Sequence, residues 1–309
     1  MAADEQLYEE LRPRAFAIAY RMLGSVAEAE DVVQEGMLRL HRALGAGEEI
    51  ASPAAYLATV VTRLAIDELR SARVRREAYV GEWLPEPLVT PEGNDPAVRA
   101  ELADSLSLAF LVLLESLTPE QRAVFLLREV FDYPYDRIAE IVGKGEDATR
   151  QLAVRARREI GRGRPRFESE PEQEERLAAS FFAAAEEGDL GALEALLAED
   201  VELHGDGGGR APAIKRPVFG RVRVARLLRN WWQLAVRAGG VEVRRVSVNG
   251  QPGAEFLDRD GGLLGVLGLD IDGNGIRAVR SLVNPDKLGH LGPVADLPAL
   301  LERVRQRPG

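Results

Sequence analysis

The sequence predicts a multidomain chain: two all-α domains, the second with a helix-turn-helix, followed by an α+β domain. Three observations carry that prediction. Roughly the first 160 residues repeat apolar side chains at helical spacing, interrupted by a proline-rich stretch at 80–96. Beyond about residue 172 the period changes, and from Val241 short β-rich runs alternate with Asn-Gly and Asp-Gly turns. The length of 309 residues is two to three times the usual domain size of about 100–150.

Each element has its own local reason. Leu7, Leu11, Phe16, Ala19, Tyr20 and Leu23 put one apolar face on a first helix, which Gly24-Ser25 breaks. A second helix covers 28–44 and gives way to a Gly- and Glu-rich loop at 45–49. Ser52-Pro53 opens a third, to about Arg76, because proline at the first helical position lacks only an amide that has no helical partner anyway. Pro85, Pro87, Pro91 and Pro96 forbid a helix through 80–96, which reads as a linker with Trp83 at its heart. An aromatic of that size must dock somewhere, either on its neighbouring helix or on another domain.

Helices resume at 97–117, again after Thr118-Pro119-Glu120, and as a pair over 135–160; a second linker, 161–170, is rich in Gly, Arg and Pro. Then come helices at 172–187 and 190–197, a glycine run at 205–209, and a helix at 222–236. The runs 241–248, 254–257, 263–270 and 276–283 read as an antiparallel meander.

Composition narrows the function classes. Apolar residues at 46% and charged residues at 29% give a globular balance. The absence of cysteine excludes a disulfide framework, a thiolate metal site and a cysteine nucleophile, and fits a reducing cytoplasm. Residues 1–6 carry acid and no basic n-region, so no secretory signal is expected. The longest apolar run, 106–114, is broken by Ser107 and falls short of the ~18–20 residues that span a bilayer, so no membrane association is expected. A net charge of −10 argues, taken alone, against nucleic-acid binding. Distribution matters more: Lys144, Lys215 and Lys287 are the only lysines, and the arginines cluster.

The clearest cluster follows residues 134–143, a short helix ending at Gly143, with a second helix beginning about three residues later. That is helix-turn-helix spacing. On the second helix Ala148, Leu152, Ala156 and Ile160 recur every four residues and are expected to face the core. The opposite face carries Arg150, Gln151, Val154, Arg157 and Arg158, with Arg155 at its edge. Arg and Gln hydrogen-bond base edges in a major groove, and further arginines match phosphates. The plain alternative is a solvated hairpin with incidental arginines; the turn spacing combined with one basic face favours DNA. The helix from Ser52 gathers Arg63, Arg70, Arg73, Arg75 and Arg76 toward its end, a cluster that the helix macrodipole would favour by itself.

Ala29-Glu30-Asp31-Val32-Val33-Gln34-Glu35, with Leu38 and Leu40, resembles the polymerase-binding helix of extracytoplasmic-function sigma factors. Tyr56-Leu57 through Leu69-Arg70-Ser71-Ala72-Arg73 resembles that family's −10-reading helix. Leu117-Thr118-Pro119-Glu120-Gln121-Arg122 through Gly143 and Arg150-Gln151 resembles its −35-reading domain. The resemblance implies RNA polymerase core (its β′ and β subunits) and promoter DNA as partners. It assigns Asp31, Gln34 and Glu35 to the polymerase, Arg63, Arg70 and Arg73 to the −10 element, and Arg150, Gln151, Arg155 and Arg157 to the −35 element. Gly145 stands where the family often has Ser, and Gly is nearly as good an N-cap. Gly36, inside the polymerase-binding helix, costs that helix ~1 kcal/mol relative to Ala.

Three more motifs resemble the hallmarks of sigma factors fused to a SnoaL-like domain: Tyr79-Val80-Gly81-Glu82-Trp83-Leu84-Pro85-Glu86-Pro87, Asp206-Gly207-Gly208-Gly209, and Asn284-Pro285-Asp286-Lys287-Leu288. Glu82 departs from the Pro often found there. Residues 172–290 resemble the SnoaL-like, cone-shaped α+β barrel related to nuclear transport factor 2. The resemblance implies a built-in regulator, with Trp83, Leu84, Pro85, Asp206, Gly207, Gly208, Asn284, Pro285, Asp286 and Lys287 as regulatory contacts. A barrel that grips the linker would hold the two DNA-reading domains together.

The expected domains are 1–78 (polymerase and −10), 79–96 (linker), 97–162 (−35), 172–290 (barrel) and 291–309 (tail). Catalysis inside the cone would need a carboxylate or His, and His204 and Asp206 are the candidates. The glycine repetition favours a tight turn instead. The expectation is therefore no catalytic residue, no cofactor and no metal, with a small-molecule ligand of the barrel left open. Trp231 and Trp232 point about 100° apart on their helix, so at most one is expected to face the cone. Two rival readings remain: a ligand-sensing helix-turn-helix regulator, opposed by the Asp31–Glu35 motif, and an isomerase or cyclase, opposed by the lack of a convincing acid/base pair.

Overall fold

The computed structural model describes residues 2–91, 105–163 and 171–306. Two compact units emerge, one of residues 1–78 with 110–164 and one of 79–109 with 165–309. The described linker residues 79–91, and residues 105–109, therefore fall in the C-terminal unit.

The helical unit contains α1 (Ala2–Leu23), α2 (Val26–Gly45), α3 (Pro53–Glu77), α4 (Leu108–Leu114), α5 (Pro119–Glu129), α6 (Tyr135–Val142) and α7 (Glu146–Gly163). Of the expected helix at 97–117, residues 97–104 lie outside the described residues. Ser25 caps α2, its hydroxyl accepting from the Glu28 amide at 3.2 Å. Thr118 and Gln121 form a reciprocal capping box at the start of α5, which leaves two fewer orphaned donors. Gly36 has a packing reason: a Cβ there would lie 2.9 Å from a Val61 methyl and 3.1 Å from a Leu57 methyl, so glycine lets α2 and α3 approach.

Helix α6 ends at Gly143 in the left-handed region (φ 66°), as the turn requires. The buried stripe of α7 is Thr149, Ala153, Ala156 and Ile160, and Ala148 is exposed. The expected every-fourth-residue stripe is thus corrected. A helix repeats every 3.6 residues, so a strict spacing of four drifts off any one face, and the real stripe alternates steps of four and three.

The C-terminal unit contains β1 (Val89–Pro91), α8 (Pro171–Glu187), α9 (Leu190–Leu196), β2 (Leu197–Asp206), β3 (Val218–Phe219), α10 (Arg221–Arg237), β4 (Glu242–Val248), β5 (Gln251–Leu257), β6 (Leu263–Asp272), β7 (Gly275–Leu282) and α11 (Leu297–Gln306), with short 3-10 turns at Pro285–Lys287 and Gly289–Leu291. The strands form one mixed sheet in the order β1-β4-β5-β6-β7-β2-β3. Strands β4 to β7 are the expected antiparallel meander. Strand β2 pairs parallel to β7, a pairing the sequence does not announce. Phe181, Phe182, Leu193, Val224 and Leu228 of the helices pack on Val201, Leu203, Leu267, Leu269 and Val279 of the sheet. This is the α+β cone expected from the sequence. Strand β1, inside the proline-rich linker, lies at the sheet edge, where a proline's missing donor is tolerated.

Strand β2 positions the site. Side chains alternate along a strand, so Val201, Leu203 and Gly205 face the cone while Glu202, His204 and Asp206 face the other way.

Candidate functional site

The side chains of β2 that face away from the cone meet the linker. Asp206 is fully buried. Its Oδ1 accepts from the Tyr79 hydroxyl at 2.5 Å and the Gly208 amide at 3.0 Å. Its Oδ2 accepts from the Leu84 amide at 2.8 Å and Lys287 Nζ at 2.7 Å. Lys287 also donates to the Leu84 carbonyl, and its ammonium sits 4.3 Å from the Trp83 ring centroid and 4.9 Å from that of Tyr79. Asn284 donates to the Tyr79 oxygen at 2.7 Å. Burial, then the hydrogen bond to Asp206 and that carboxylate's charge, hold the Tyr79 phenol well above its ordinary pKa. Asp206, Lys287 and Asn284 each engage backbone or rings of the segment 79–84.

The hold continues along the linker. His204 lies between Glu82 of the linker (2.6 Å) and Glu202 (2.9 Å). His290 Nε2 meets the Pro87 carbonyl at 2.8 Å. Asn249 exchanges bonds with Leu88 through its side chain (2.9 Å) and its amide (2.8 Å), and donates to the Leu106 carbonyl at 2.8 Å. Sequence reasoning took Asn249-Gly250 only as a hairpin turn, which it is, with Asn249 at φ 52°. Nothing local announced its second task. Residues 206–211 make the tight turn expected, and Gly208 is obligatory there: φ is +56°, and a Cβ would lie 2.2 Å from the Asn284 amide nitrogen.

Of the expected regulatory residues, Trp83, Leu84, Asp206, Gly208, Asn284 and Lys287 are thus brought together, with Tyr79, which was not among them, at the centre; Pro85 is buried, and Asp286 meets Arg210 at 3.3 Å. His204 and Asp206, the candidates weighed for acid/base work, both turn away from the cone and are engaged by the linker and its flanking residues. The cone instead holds a half-open apolar cavity of about 330 Å³ lined by both Trp231 and Trp232. That corrects the expectation of at most one, because the cavity runs along the flank of α10 and both long side chains reach it.

In the helical unit, Asp31, Gln34 and Glu35 lie on one side of α2, with Asp31, Gln34 and the neighbouring Leu38 exposed and Glu35 paired to Arg39 at 2.7 Å. Ala29, Val32, Val33 and Leu40 of the same helix are buried. On α7, Arg150, Gln151, Val154, Arg155, Arg157 and Arg158 form an exposed face. Arg150 stacks 4.5 Å from the Tyr135 ring centroid, and Arg157 is braced by Glu129 at 2.7 Å.

The arginines of α3 do something the sequence did not signal. Arg63 donates to the carbonyls of Glu140 (2.8 Å) and Ile141 (2.9 Å), closing the C-terminus of α6. Arg70 bridges Asp67 (3.0 Å) and Glu120 (2.6 Å), and Arg76 pairs with Glu115. Arg122, buried in α5, donates to the Met22 and Leu114 carbonyls. The side chain of Arg73 lies outside the described residues. Among the described residues there is no cluster able to hold a metal ion, and no helix long and apolar enough to cross a membrane.

The family Sigma-70 region 2 matches residues 7–75, and Sigma-70, region 4 matches residues 107–160. The chain is 41% identical to the ECF RNA polymerase sigma factor SigJ of Mycobacterium tuberculosis, over 72% of this chain and 70% of that one. It is 37% identical to the probable ECF RNA polymerase sigma factor SigI of the same organism, over 89% of this chain and 91% of that one. The crystal structure of Mycobacterium tuberculosis SigJ superposes with a TM-score of 0.73 at 33% identity, covering 94% of this chain and 99% of that one.

Proposed function

The chain belongs to the extracytoplasmic-function RNA polymerase sigma factors, and from that premise we propose that its C-terminal domain regulates promoter engagement by holding the linker between the two sigma domains. Sigma factors of this family direct RNA polymerase to specific promoters for transcription initiation. In this reading Asp31, Gln34 and Glu35, beside exposed Leu38, meet the polymerase β′ subunit in the cytoplasm. Arg150, Gln151, Arg155 and Arg157 read the −35 element, and Arg63, Arg70 and Arg73 serve the −10 element. A net charge of −10 is no obstacle, because affinity for DNA comes through the holoenzyme.

One observation carries the regulatory reading: the Asp206 carboxylate is shared among Tyr79, Leu84 and Lys287, so the chain joining the sigma domains is fastened to the C-terminal domain. A second supports it. Arg63 and Arg70, needed for DNA, spend their donors on α6 and α5 of the second sigma domain, the pattern of a closed form. Releasing the linker shifts the balance toward a form in which both DNA-reading surfaces are free. The reading assigns no catalytic residue, since His204 and Asp206 serve the linker.

The test is Trp83→Ala in the full chain. The variant is expected to show a larger radius of gyration in solution scattering, faster proteolysis at 80–91, and altered promoter-directed transcription with core polymerase. If all three match wild type, the C-terminal domain does not act through this linker.

A further inference from the structure

We propose that the exposed basic face of α10 is a further DNA-binding surface, on which the C-terminal domain contacts the phosphate backbone of promoter DNA without reading its sequence. The proposal rests on membership of the sigma-factor family, and the regulatory reading above is not needed for it.

Charge is segregated along this chain. It carries 50 acidic against 40 basic residues, yet residues 207–241 hold eight basic residues and no Asp or Glu. Helix α10 lies within that stretch. Arg223, Arg226, Asn230, Gln233 and Arg237 recur on it at alternating steps of three and four, so they share one side, and all five are exposed. Val224, Ala225 and Leu228 are buried on the opposite side. The exposed stripe is about 21 Å long at ~1.5 Å rise per residue.

Exposed arginines elsewhere in the chain are balanced by acids: Arg39 by Glu35, Arg150 by Glu146, Arg277 by Asp200. Those of the stripe are not. Among the described residues Arg223, Arg226 and Arg237 make no hydrogen bond and no ion pair. Arg221 and Arg229, at its margins, each bury an Nε that finds no acceptor.

Local stability gives no reason for this arrangement. A solvated helix ordinarily mixes signs, since opposite charges three or four residues apart stabilise it and like charges do the reverse. Arg221 and Arg223 lie in the first turn, where the helix dipole disfavours cations, and no acid there compensates. Only Arg237, in the last turn, sits where the dipole favours it. The face thus carries repulsion that folding does not use, which is the electrostatic footprint of a polyanionic partner.

Promoter DNA fits that footprint. A duplex presents one negative charge per ~1.7 Å of its axis, so the stripe is long enough to meet several phosphates. Arg, Asn and Gln side chains all donate to phosphate oxygens. Lys215 and Arg216, exposed ahead of β3, add to the positive field. The sigma domains already bring the duplex to the same chain, so a weak second contact acts at high effective concentration.

The experiment uses holoenzyme assembled from core polymerase and the full chain, with a fluorescently labelled promoter fragment and a labelled duplex of unrelated sequence. Arg223, Arg226 and Arg237 are replaced together by Glu, or by Gln should the first variant fail to fold. Either variant is expected to bind both duplexes several-fold more weakly at low salt. The slope of log affinity against log salt should shrink by about two to three, because each phosphate contact contributes about 0.9. Preference among single-base variants of the promoter should stay as in wild type, since losing phosphate contacts weakens binding uniformly. Wild-type affinity and slope in a folded variant overturn the proposal. So does a loss confined to recovery of core polymerase, with the slope of assembled holoenzyme unaltered, which would make the face a protein-docking surface.

Discussion

Asp206 and Lys287 form an ion pair at 2.7 Å in which the carboxylate is wholly buried and the ammonium nearly so. Each desolvated charge depends on the other, and on the linker groups that complete the coordination. Breaking such a pair from one side typically costs about 3–5 kcal/mol, whereas replacing both sides can be nearly neutral. Lys287→Met should therefore destabilise the C-terminal domain by about that amount, and Lys287→Met combined with Asp206→Asn should recover part of the loss. Denaturant unfolding followed by tryptophan emission measures it. A double variant as unstable as the sum of the singles would mean that the two groups act independently.

Gly208 offers a backbone counterpart. With φ at +56° and Asn284 against the position a methyl would take, Gly208→Ala should cost well over 1 kcal/mol and loosen the linker. Faster protease cleavage at 79–91 would report the loosening, and unchanged cleavage would mean that the turn does not tension the grip.

The Arg70–Glu120 pair makes a pH prediction. The hydrogen bond from Arg70 holds the Glu120 carboxyl below its ordinary pKa. A depressed folded-state value contributes stability above the unfolded pKa, and the contribution is lost as pH falls through the folded one. The clamp between α3 and α5 should therefore weaken only under acid conditions. Arg70→Ala should return Glu120 to the ordinary carboxylate range in a carboxyl NMR titration; a titration that does not move would place the cause elsewhere.

On the DNA-facing helix, Arg150→Ala removes an exposed stack on Tyr135 and an exposed pair with Glu146. Thermal stability should change by no more than about 0.5 kcal/mol. Binding of a promoter fragment by the holoenzyme should weaken by ~1–3 kcal/mol with relaxed preference at one −35 position. An unaltered preference would remove Arg150 from base contact.

Reversing Asp31 and Glu35 to Lys should abolish co-purification with core polymerase, since like charges across an interface cost several kcal/mol. Both side chains point away from the buried face of α2, so the fold should be retained by circular dichroism. Wild-type recovery of polymerase would assign this face another role.

How much of this was legible in the sequence depended on the range of the interaction. Ser25, the Thr118–Gln121 box, Gly143 and the Asn249-Gly250 turn are local devices, and each was readable because its cause lies within a few residues. So were the exposed face of α7 and the meander of β4 to β7, since period and turn chemistry are local as well. The motifs 79–87, 206–209 and 284–288 could be singled out only through their resemblance to a known family.

Other features had no local cause. Strand β2 exists because β7, some 70 residues later, supplies a parallel partner, and parallel pairing leaves no turn signal. The outward turn of His204 and Asp206 follows from the register of β2, where a shift of one residue would have aimed them into the cone. Arg63 and Arg70 read as DNA contacts through the family resemblance alone, while their bonds to Glu140, Ile141 and Glu120 arise only when distant helices meet. The sequence determined which groups this protein carries and the local shape around them. Tertiary structure decided what those groups face, because burial and pairing across long chain separations set that direction.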